Sequence, residues 1–164
     1  MPERSALLAL AWAVVLVACS ASEVATEGAT IGDSLDVAGT QRVTLLESEV
    51  GIGGQGSRPP PEGSVYASFL FRIESLSPDA RYDRFGFSAT GPGRLTYPYT
   101  AGGRQPALAA DRTLPAGGIA EGWVTFEVPD DFDDLAVSYV PPFAPASERI
   151  TFTVRAPETA GSGG

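Results

Sequence analysis

Apolar and polar residues alternate in short segments along most of the chain, and Gly, Pro and Asp separate these segments. The clearest alternation spans residues 65–75, where the apolar side chains of one face are Val65, Ala67, Phe69, Phe71 and Ile73. A period of two places successive side chains on opposite faces of a β-strand. No helical period extends beyond one turn, so the pattern predicts an antiparallel β domain with one strand face in the core.

The same alternation predicts seven further strands, over residues 31–37, 41–50, 84–89, 95–99, 122–128, 135–140 and 149–155. Phe85 and Phe87 are two residues apart and are expected to share the inward face. Pro98 has no amide proton to donate, which places its strand at the edge of a sheet. The expected inward residues of the last three strands are Val124, Phe126, Val128, Leu135, Val137, Tyr139, Ile150, Phe152 and Val154. About seven or eight strands without helices favour an all-β fold, an immunoglobulin-like antiparallel β-sandwich.

The residues before this domain have the pattern of an export signal. Arg4 precedes an apolar segment, residues 6–18, which is too short to span a bilayer as a helix. The segment ends in Leu16, Val17, Ala18 and Cys19, an order that resembles the lipobox of bacterial lipoproteins. The resemblance implies that Cys19 is lipidated, becomes the first residue of the mature protein and anchors it in the membrane. An ordinary secretory signal and an uncleaved anchor are the alternatives.

The chain therefore divides into four predicted parts. Residues 1–18 are a lipoprotein signal peptide, 19–29 a flexible tether, 30–156 the β-sandwich and 157–164 a disordered tail. Cys19 is the only cysteine, so an internal disulfide is excluded.

The composition excludes several kinds of chemistry. The chain contains neither His nor Lys, so it cannot build a Ser-His or Ser-Lys nucleophile, and the usual ligands of zinc, copper and haem are missing. The formal net charge of −9 argues against nucleic acid as a partner and against electrostatic adhesion to anionic lipid. These features predict a non-enzymatic protein without a cofactor.

A cluster of carboxylates is the candidate metal site. Asp130, Asp131, Asp133 and Asp134 lie within five residues of one another, and calcium accepts several carboxylate oxygens in flexible geometry. Their spacing is not that of an EF-hand. A solvated acidic turn is the alternative to a calcium site.

Aromatic residues are the candidate partner-binding residues. Trp123 alternates with Val124 and is expected to point away from the core, where an exposed tryptophan could anchor a partner. Cover by the other sheet, a loop or a bulge is the alternative. Tyr97, Tyr99 and Phe143 each lie beside a proline and could add to an aromatic surface, with edge-strand packing as the alternative.

Residues 51–56 match the pattern G-x-G-x-x-G of dinucleotide-binding loops. That motif requires a helix to begin at the loop, so that the helix amides meet the pyrophosphate. The prolines at residues 59–61 forbid such a helix. The match therefore indicates a flexible loop.

Three segments resemble one family: residues 114–118 (LPAGG), 121–129 (EGWVTFEVP) and 135–141 (LAVSYVP). This order of a Pro-Gly turn and two strands is similar to the telokin-like, immunoglobulin-type domain of unknown function that recurs in bacterial extracytoplasmic lipoproteins. The resemblance implies an immunoglobulin-like fold outside the cytoplasm and no agreed activity. Residues 52–63 depart from the pattern as a Pro- and Gly-rich insertion.

Together these features predict a lipid-anchored lipoprotein on the extracytoplasmic face of the cell membrane that acts as a non-enzymatic binding or accessory module. The expected partner is an envelope protein. A structural spacer of an envelope complex and a weak calcium-binding module are the alternative functions.

Overall fold

The computed structural model describes residues 28–51 and 58–156, which form ten β-strands and three short 3₁₀ turns. The strands are β1 Ser34–Val37, β2 Gln41–Gly51, β3 Ser64–Ser75, β4 Ala80–Tyr82, β5 Phe87–Thr90, β6 Thr96–Pro98, β7 Arg112–Leu114, β8 Ile119–Pro129, β9 Asp134–Tyr139 and β10 Ile150–Arg155. The turns are Arg84–Gly86, Pro92–Arg94 and Ala146–Glu148. No helix in these ranges is long and apolar enough to cross a membrane.

Several sequence predictions lie outside the described residues. These are the signal peptide, the lipobox, the lipidation of Cys19, most of the tether, the C-terminal tail and most of the G-x-G-x-x-G segment.

Eight strands form two four-stranded antiparallel sheets that pack face to face. The front sheet has the order β1-β2-β3-β8, and the back sheet has the order β10-β9-β5-β6. The strands β4 and β7 pair separately as a two-stranded ribbon. The predicted all-β antiparallel sandwich is confirmed. The ribbon is not predicted from the sequence, because three-residue strands are too short to show a period of two.

The core lies between the two sheets and is rich in aromatic rings. The ring of Phe71 on β3 lies 4.6 Å from Phe87 on β5 and 5.6 Å from Phe152 on β10. Phe87 in turn stacks on Tyr139 of β9 at 4.2 Å. Each such pair contributes about 0.5–1.5 kcal/mol beyond the burial of its apolar area. The inward faces predicted from the alternation therefore meet across the sandwich.

A bulge in β2 explains why its alternation is irregular. Leu45 pairs with Phe71 and Glu47 pairs with Leu70, so one extra residue is inserted between Leu45 and Glu47. The insertion reverses the faces of the strand, because a β-bulge places two residues opposite one. Leu45 is fully buried, whereas Glu47 and Glu49 are exposed.

The connection between β6 and β7 covers the outer edge of the front sheet. Its residue Tyr99 forms a bridge with Phe126 of β8, and Ala107 forms a second bridge with Trp123. We call residues 99–108 the covering segment. Residues 101–118 are rich in Gly and Ala, a composition that predicts a loose loop, but the backbone of the covering segment is hydrogen-bonded to the edge strand of the sheet.

Candidate functional site

One end of the sandwich carries most of the exposed large apolar side chains. At this end Gln41, the first residue of β2, pairs with Ser75, and Ile150, the first residue of β10, pairs with Tyr139. Six large apolar residues in the described ranges are exposed, and four of them belong to this end. They are Leu76, Phe85, Ile119 and Phe143, and we call the region that they form the apolar end.

The backbone fixes the positions of Leu76 and Ile119. The amide of Leu76, directly after β3, donates a hydrogen bond of 2.8 Å to the carbonyl of Thr40, which directly precedes β2. Ile119 is the first residue of β8 and pairs with Glu74 near the end of β3. Both residues therefore lie where the front sheet ends.

The other two lie where the back sheet ends. The amide of Val140 donates to the carbonyl of Gly86 at 3.1 Å; Phe85 directly precedes Gly86, and Phe143 follows Val140 by three residues. A Cβ atom on Gly86 would lie 2.4 Å from the carbonyl oxygen of Val140, so only glycine allows this approach. Phe85 and Phe143 are thus brought to the same end from different strands.

Phe143 lies at the tip of a turn that its sequence stiffens. The amide of Ala144 donates to the carbonyl of Pro141 at 3.1 Å, which closes the turn over Pro142 and Phe143. Phe143 has a φ of 66° and is 86% exposed. In a turn this position is normally Gly or Asn, because a side chain at positive φ costs about 1 kcal/mol or more. The turn therefore holds an aromatic side chain in solvent in a strained backbone conformation.

An arginine of the ribbon lies against this ring. The guanidinium carbon of Arg81 on β4 is 5.0 Å from the ring centroid of Phe143. Arg81 also forms an ion pair with Asp111, and its carbonyl accepts a hydrogen bond from the Nε2 atom of Gln41. The ribbon is thereby attached to the first residue of β2, and it limits the orientations that the Phe143 ring can adopt.

A second aromatic group surrounds Arg84. Its guanidinium carbon lies 5.3 Å from the ring of Phe85 and 5.0 Å from the ring of Tyr99, and these two rings pack edge to face at 5.5 Å. The Nη1 atom of Arg84 donates to the carbonyl of Leu108 at 3.3 Å, whereas its buried Nε atom has no hydrogen-bond partner among the described residues. An arginine held between an exposed phenylalanine and a tyrosine is typical of the residues that dominate binding surfaces.

The prediction that Phe85 points into the core with Phe87 is wrong. Residues 84–86 form a 3₁₀ turn, and the amide of Phe85 donates to the capping carboxylate of Asp83 at 3.0 Å. The turn breaks the two-residue period, so Phe85 is 63% exposed although Phe87 is buried.

The sequence predicts that Trp123 is exposed and could anchor a partner. The prediction of its exposure is wrong. Its side chain is only 8% exposed. Trp123 does point away from the core, but the covering segment lies against it: the Trp123 amide donates to the carbonyl of Pro106 at 3.0 Å, and the Leu108 amide donates to the Trp123 carbonyl at 2.9 Å. The guanidinium of Arg104 lies 5.5 Å from the indole ring and pairs with Glu49 at 2.5 Å. Of the alternatives to an exposed Trp123, cover by a loop is the one that the structure shows.

The four aspartates of the predicted calcium site lie at the opposite end of the sandwich. Asp130, Asp131 and Asp133 are exposed between β8 and β9, and Asp134, the first residue of β9, is exposed as well. Asp134 lies 3.6 Å from Arg155. Within residues 28–51 and 58–156, no three acidic, histidine or cysteine side chains are grouped closely enough to hold a metal ion. The cluster has the geometry of a solvated turn, and calcium binding stays a prediction.

An open groove of about 430 Å³ lies beside this acidic end. Its walls mix hydroxyl groups with the Asp134–Arg155 pair and come from Thr30, Ile31, Ser48, Asp134, Thr153, Val154 and Arg155.

The fold is shared with proteins of known structure. A search of solved structures finds the candidate lipoprotein ycdA of Bacillus subtilis at a TM-score of 0.62 and 12% identity, over 73% of this chain and 38% of that one. The chain thus spans little more than a third of ycdA. An uncharacterised β-sandwich protein of Clostridium difficile matches at a TM-score of 0.50 and 11% identity, over 78% and 93% of the two chains. The secreted protein MPT63 of Mycobacterium tuberculosis matches at 0.54 and 14%, over 79% and 96%.

At these identities the likeness shows the β-sandwich fold and nothing about activity. A scan against family models and a search of curated proteins find no match. Membership of the telokin-like family therefore stays a prediction.

Proposed function

We propose that this protein is an exported, lipid-anchored module on the extracytoplasmic face of the cell membrane, and that it binds non-enzymatically through the apolar end. The observation that carries the proposal is Phe143, which is 86% exposed on a strained turn between prolines. The fold gains little from such a residue, because neither its burial nor its backbone conformation is favourable. A role in binding accounts for it.

The residues of the apolar end support binding rather than catalysis. Phenylalanine, tyrosine and arginine are enriched at interfaces, and Phe85, Tyr99 and Arg84 are in mutual contact there. The chain contains no His and no Lys, so two of the common general bases are missing and only carboxylates could take that role. A structural spacer would not need an exposed aromatic residue in a strained turn, so the exposed end favours the binding role over the spacer.

The lipid anchor rests on the sequence from Leu16 to Cys19. Two of the structural relatives are described as a candidate lipoprotein and as a secreted protein, which agrees with an extracytoplasmic location. The envelope protein partner expected from the sequence stays a prediction, separate from the question of what the apolar end binds.

Membrane fractionation of the full chain expressed in a bacterium tests the anchor. The wild-type protein is expected in the membrane fraction, with an N-terminal peptide whose mass corresponds to acylated Cys19. The Cys19→Ala variant is expected to lack the lipid mass. The Cys19→Ser variant, which keeps the size and polarity of the side chain but has no thiol, is expected to lack it as well. A mature chain that begins at another residue, or an unmodified Cys19 thiol, would contradict the proposal.

A further inference from the structure

We propose that the apolar end rests on the lipid surface of the membrane, so that Phe143 and Phe85 enter the interfacial region and the acidic end faces away from the bilayer. This inference rests on the proposed lipid anchor and names the partner of the apolar end. The membrane interface accepts aromatic rings together with arginine side chains, whose alkyl parts lie in apolar surroundings while their charged groups meet lipid phosphates.

The distribution of charge favours this orientation over its reverse. The chain has a net charge of −9, yet at the apolar end four arginines accompany five acidic residues: Arg81, Arg84, Arg112 and Arg149 with Glu74, Asp79, Asp83, Asp111 and Glu148. Of the arginines, only Arg81 forms an ion pair within the described residues. The apolar end therefore carries only a small share of the negative charge, and the exposed guanidinium groups of Arg112 and Arg149 are available for phosphates.

The opposite end is repelled by an anionic surface. Its four exposed aspartates follow β8, which begins at Ile119 in the apolar end and finishes at Pro129. Ten steps along a strand correspond to about 33 Å. With the apolar end on the lipid, the aspartates lie well beyond the screening length of about 8 Å at physiological salt.

The length of chain before the described residues is sufficient for this contact. Gly28 packs against Thr153, because a Cβ atom at Gly28 would lie 1.8 Å from the Thr153 hydroxyl oxygen. Thr153 is three residues from Ile150 at the apolar end, which corresponds to about 10 Å along β10. Cys19 and Gly28 are nine residue steps apart along the chain, and such a length can span at most about 30 Å. The anchor can thus reach the bilayer while the apolar end touches it.

The turn that carries Phe143 is suited to insertion. Its three prolines, at positions 141, 142 and 145, fix backbone angles before any contact is made. The loss of conformational entropy on binding is consequently small. The cation–π contact from Arg81 further restricts the ring.

Photo-crosslinking of the full chain in intact bacterial cells tests the inference. A benzophenone amino acid replaces Phe143 or Phe85 at the apolar end. Matched controls replace Leu95, an exposed apolar residue elsewhere on the domain, and Asp131 at the acidic end. Lipid adducts detected by mass spectrometry are expected to be severalfold more abundant from positions 143 and 85 than from 95 and 131.

The same samples report separately on the anchor. If Cys19 is acylated but positions 143 and 85 form no more lipid adducts than the controls, the inference is wrong and the anchor stands. A dominant adduct between position 143 and one envelope protein would also overturn the inference and would make the apolar end a protein-binding surface. If Cys19 carries no lipid, the proposed anchor fails whatever the crosslinks show.

A variant confirms that the side chains cause the contact. The double substitution Phe143→Asn and Phe85→Ser, with the crosslinker at Ile119, is expected to reduce lipid adducts severalfold relative to the same crosslinker in the wild-type background. Undiminished adducts from this variant would contradict a role for the two phenylalanines.

Discussion

Tyr139 of β9 donates a hydrogen bond of 3.1 Å to the Oε1 atom of Gln41 on β2, across the interior directly beneath the apolar end. Both side chains are buried. Gln41 also bonds to the ribbon, because its Nε2 atom donates to the carbonyl of Arg81. The two sheets and the ribbon are thus joined at the end that presents Phe143.

The Tyr139→Phe variant is expected to lower the free energy of unfolding by about 1–3 kcal/mol. The substitution keeps the ring and leaves the buried amide oxygen of Gln41 without its partner, so the desolvation cost of that oxygen is no longer offset. Urea denaturation measures the change. Tyr97→Phe is the matched control, because Tyr97 lies on the edge strand β6 and is half-buried. Equal stability of both variants would contradict a structural role for the Tyr139 hydroxyl.

The stability of the protein is expected to fall in alkaline solution. Burial raises the pKa of the Tyr139 phenol above its usual value, and a smaller effect of burial raises the pKa of Tyr82. Above a pH of about 10 the unfolded chain ionises while the folded phenol stays protonated, so the unfolded state binds fewer protons and stability falls by up to about 1.4 kcal/mol per pH unit for each such group. Below that pH the contribution is fully present.

Denaturation curves recorded from about pH 8 to about pH 11, a range that includes the usual tyrosine pKa, measure this slope. Tyr139→Phe is expected to show a shallower decline than the wild type, because one of the two perturbed phenols is removed. An unchanged slope would assign the decline to other groups.

The Gly103→Ala variant is expected to displace the covering segment. An added Cβ atom would lie 2.1 Å from the Thr125 hydroxyl oxygen and 2.6 Å from that of Ser68, two buried groups that bond to each other at 2.9 Å. Displacement exposes Trp123, so its fluorescence shifts to longer wavelength. The measurement uses a Trp12→Phe background, in which Trp123 is the sole tryptophan. Gly51→Ala is the control, since its Cβ would meet no atom within 4 Å.

The alternation of side chains predicts the core residues, because the face to which a side chain points depends only on its place in a run of consecutive strand residues. Phe69, Phe71 and Ile73 are fully or almost fully buried, as their two-residue period requires. The period fails where the backbone leaves the extended conformation. At Phe85 the 3₁₀ turn capped by Asp83 interrupts the period, and at Leu46 the β-bulge interrupts it.

The two-residue period cannot predict whether residues distant along the chain cover an outward-facing side chain. The alternation gives the direction of Trp123 correctly, but what lies over it depends on residues 99–108, which are distant along the chain. The two adjacent glycines at positions 102 and 103 were a usable signal, since paired glycines permit a close approach to another surface. The contact of Gly103 with Thr125 is such an approach.

The apolar end was only partly visible in the sequence. Phe143 lies among prolines, which marks it as an aromatic residue in a stiff turn. Leu76, Phe85 and Ile119 gave no such signal: Phe85 lies within a predicted strand, the other two lie close to one, and all three look like core residues. They meet Phe143 through strand register, which depends on pairing between remote segments.

Calcium is expected to leave the thermal stability unchanged. A ligand that binds the folded state stabilises it in proportion to the logarithm of its concentration over the dissociation constant, and the four aspartates form no preassembled group among the described residues. Thermal unfolding with calcium up to the millimolar range measures this, with magnesium as the control. A rise in Tm with calcium alone, lost in Asp131→Asn, would restore the calcium-binding hypothesis.

The Phe143→Asn variant is expected to be as stable as the wild type, within about 0.5 kcal/mol, which is the usual range for surface substitutions. Asparagine tolerates positive φ, so relief of backbone strain offsets loss of the exposed contact with Arg81. Phe126→Asn, in the core, is the contrasting variant and is expected to unfold the domain or lower its stability by about 3 kcal/mol or more.

A large loss of stability in Phe143→Asn would mean that the fold itself requires the ring and would remove the main reason for assigning it to binding. Unchanged stability combined with reduced lipid contact separates the two roles. The strain at Phe143 is then explained by its position at the membrane, because an exposed aromatic ring that adds little to the stability of the domain gains a favourable environment when the apolar end meets lipid.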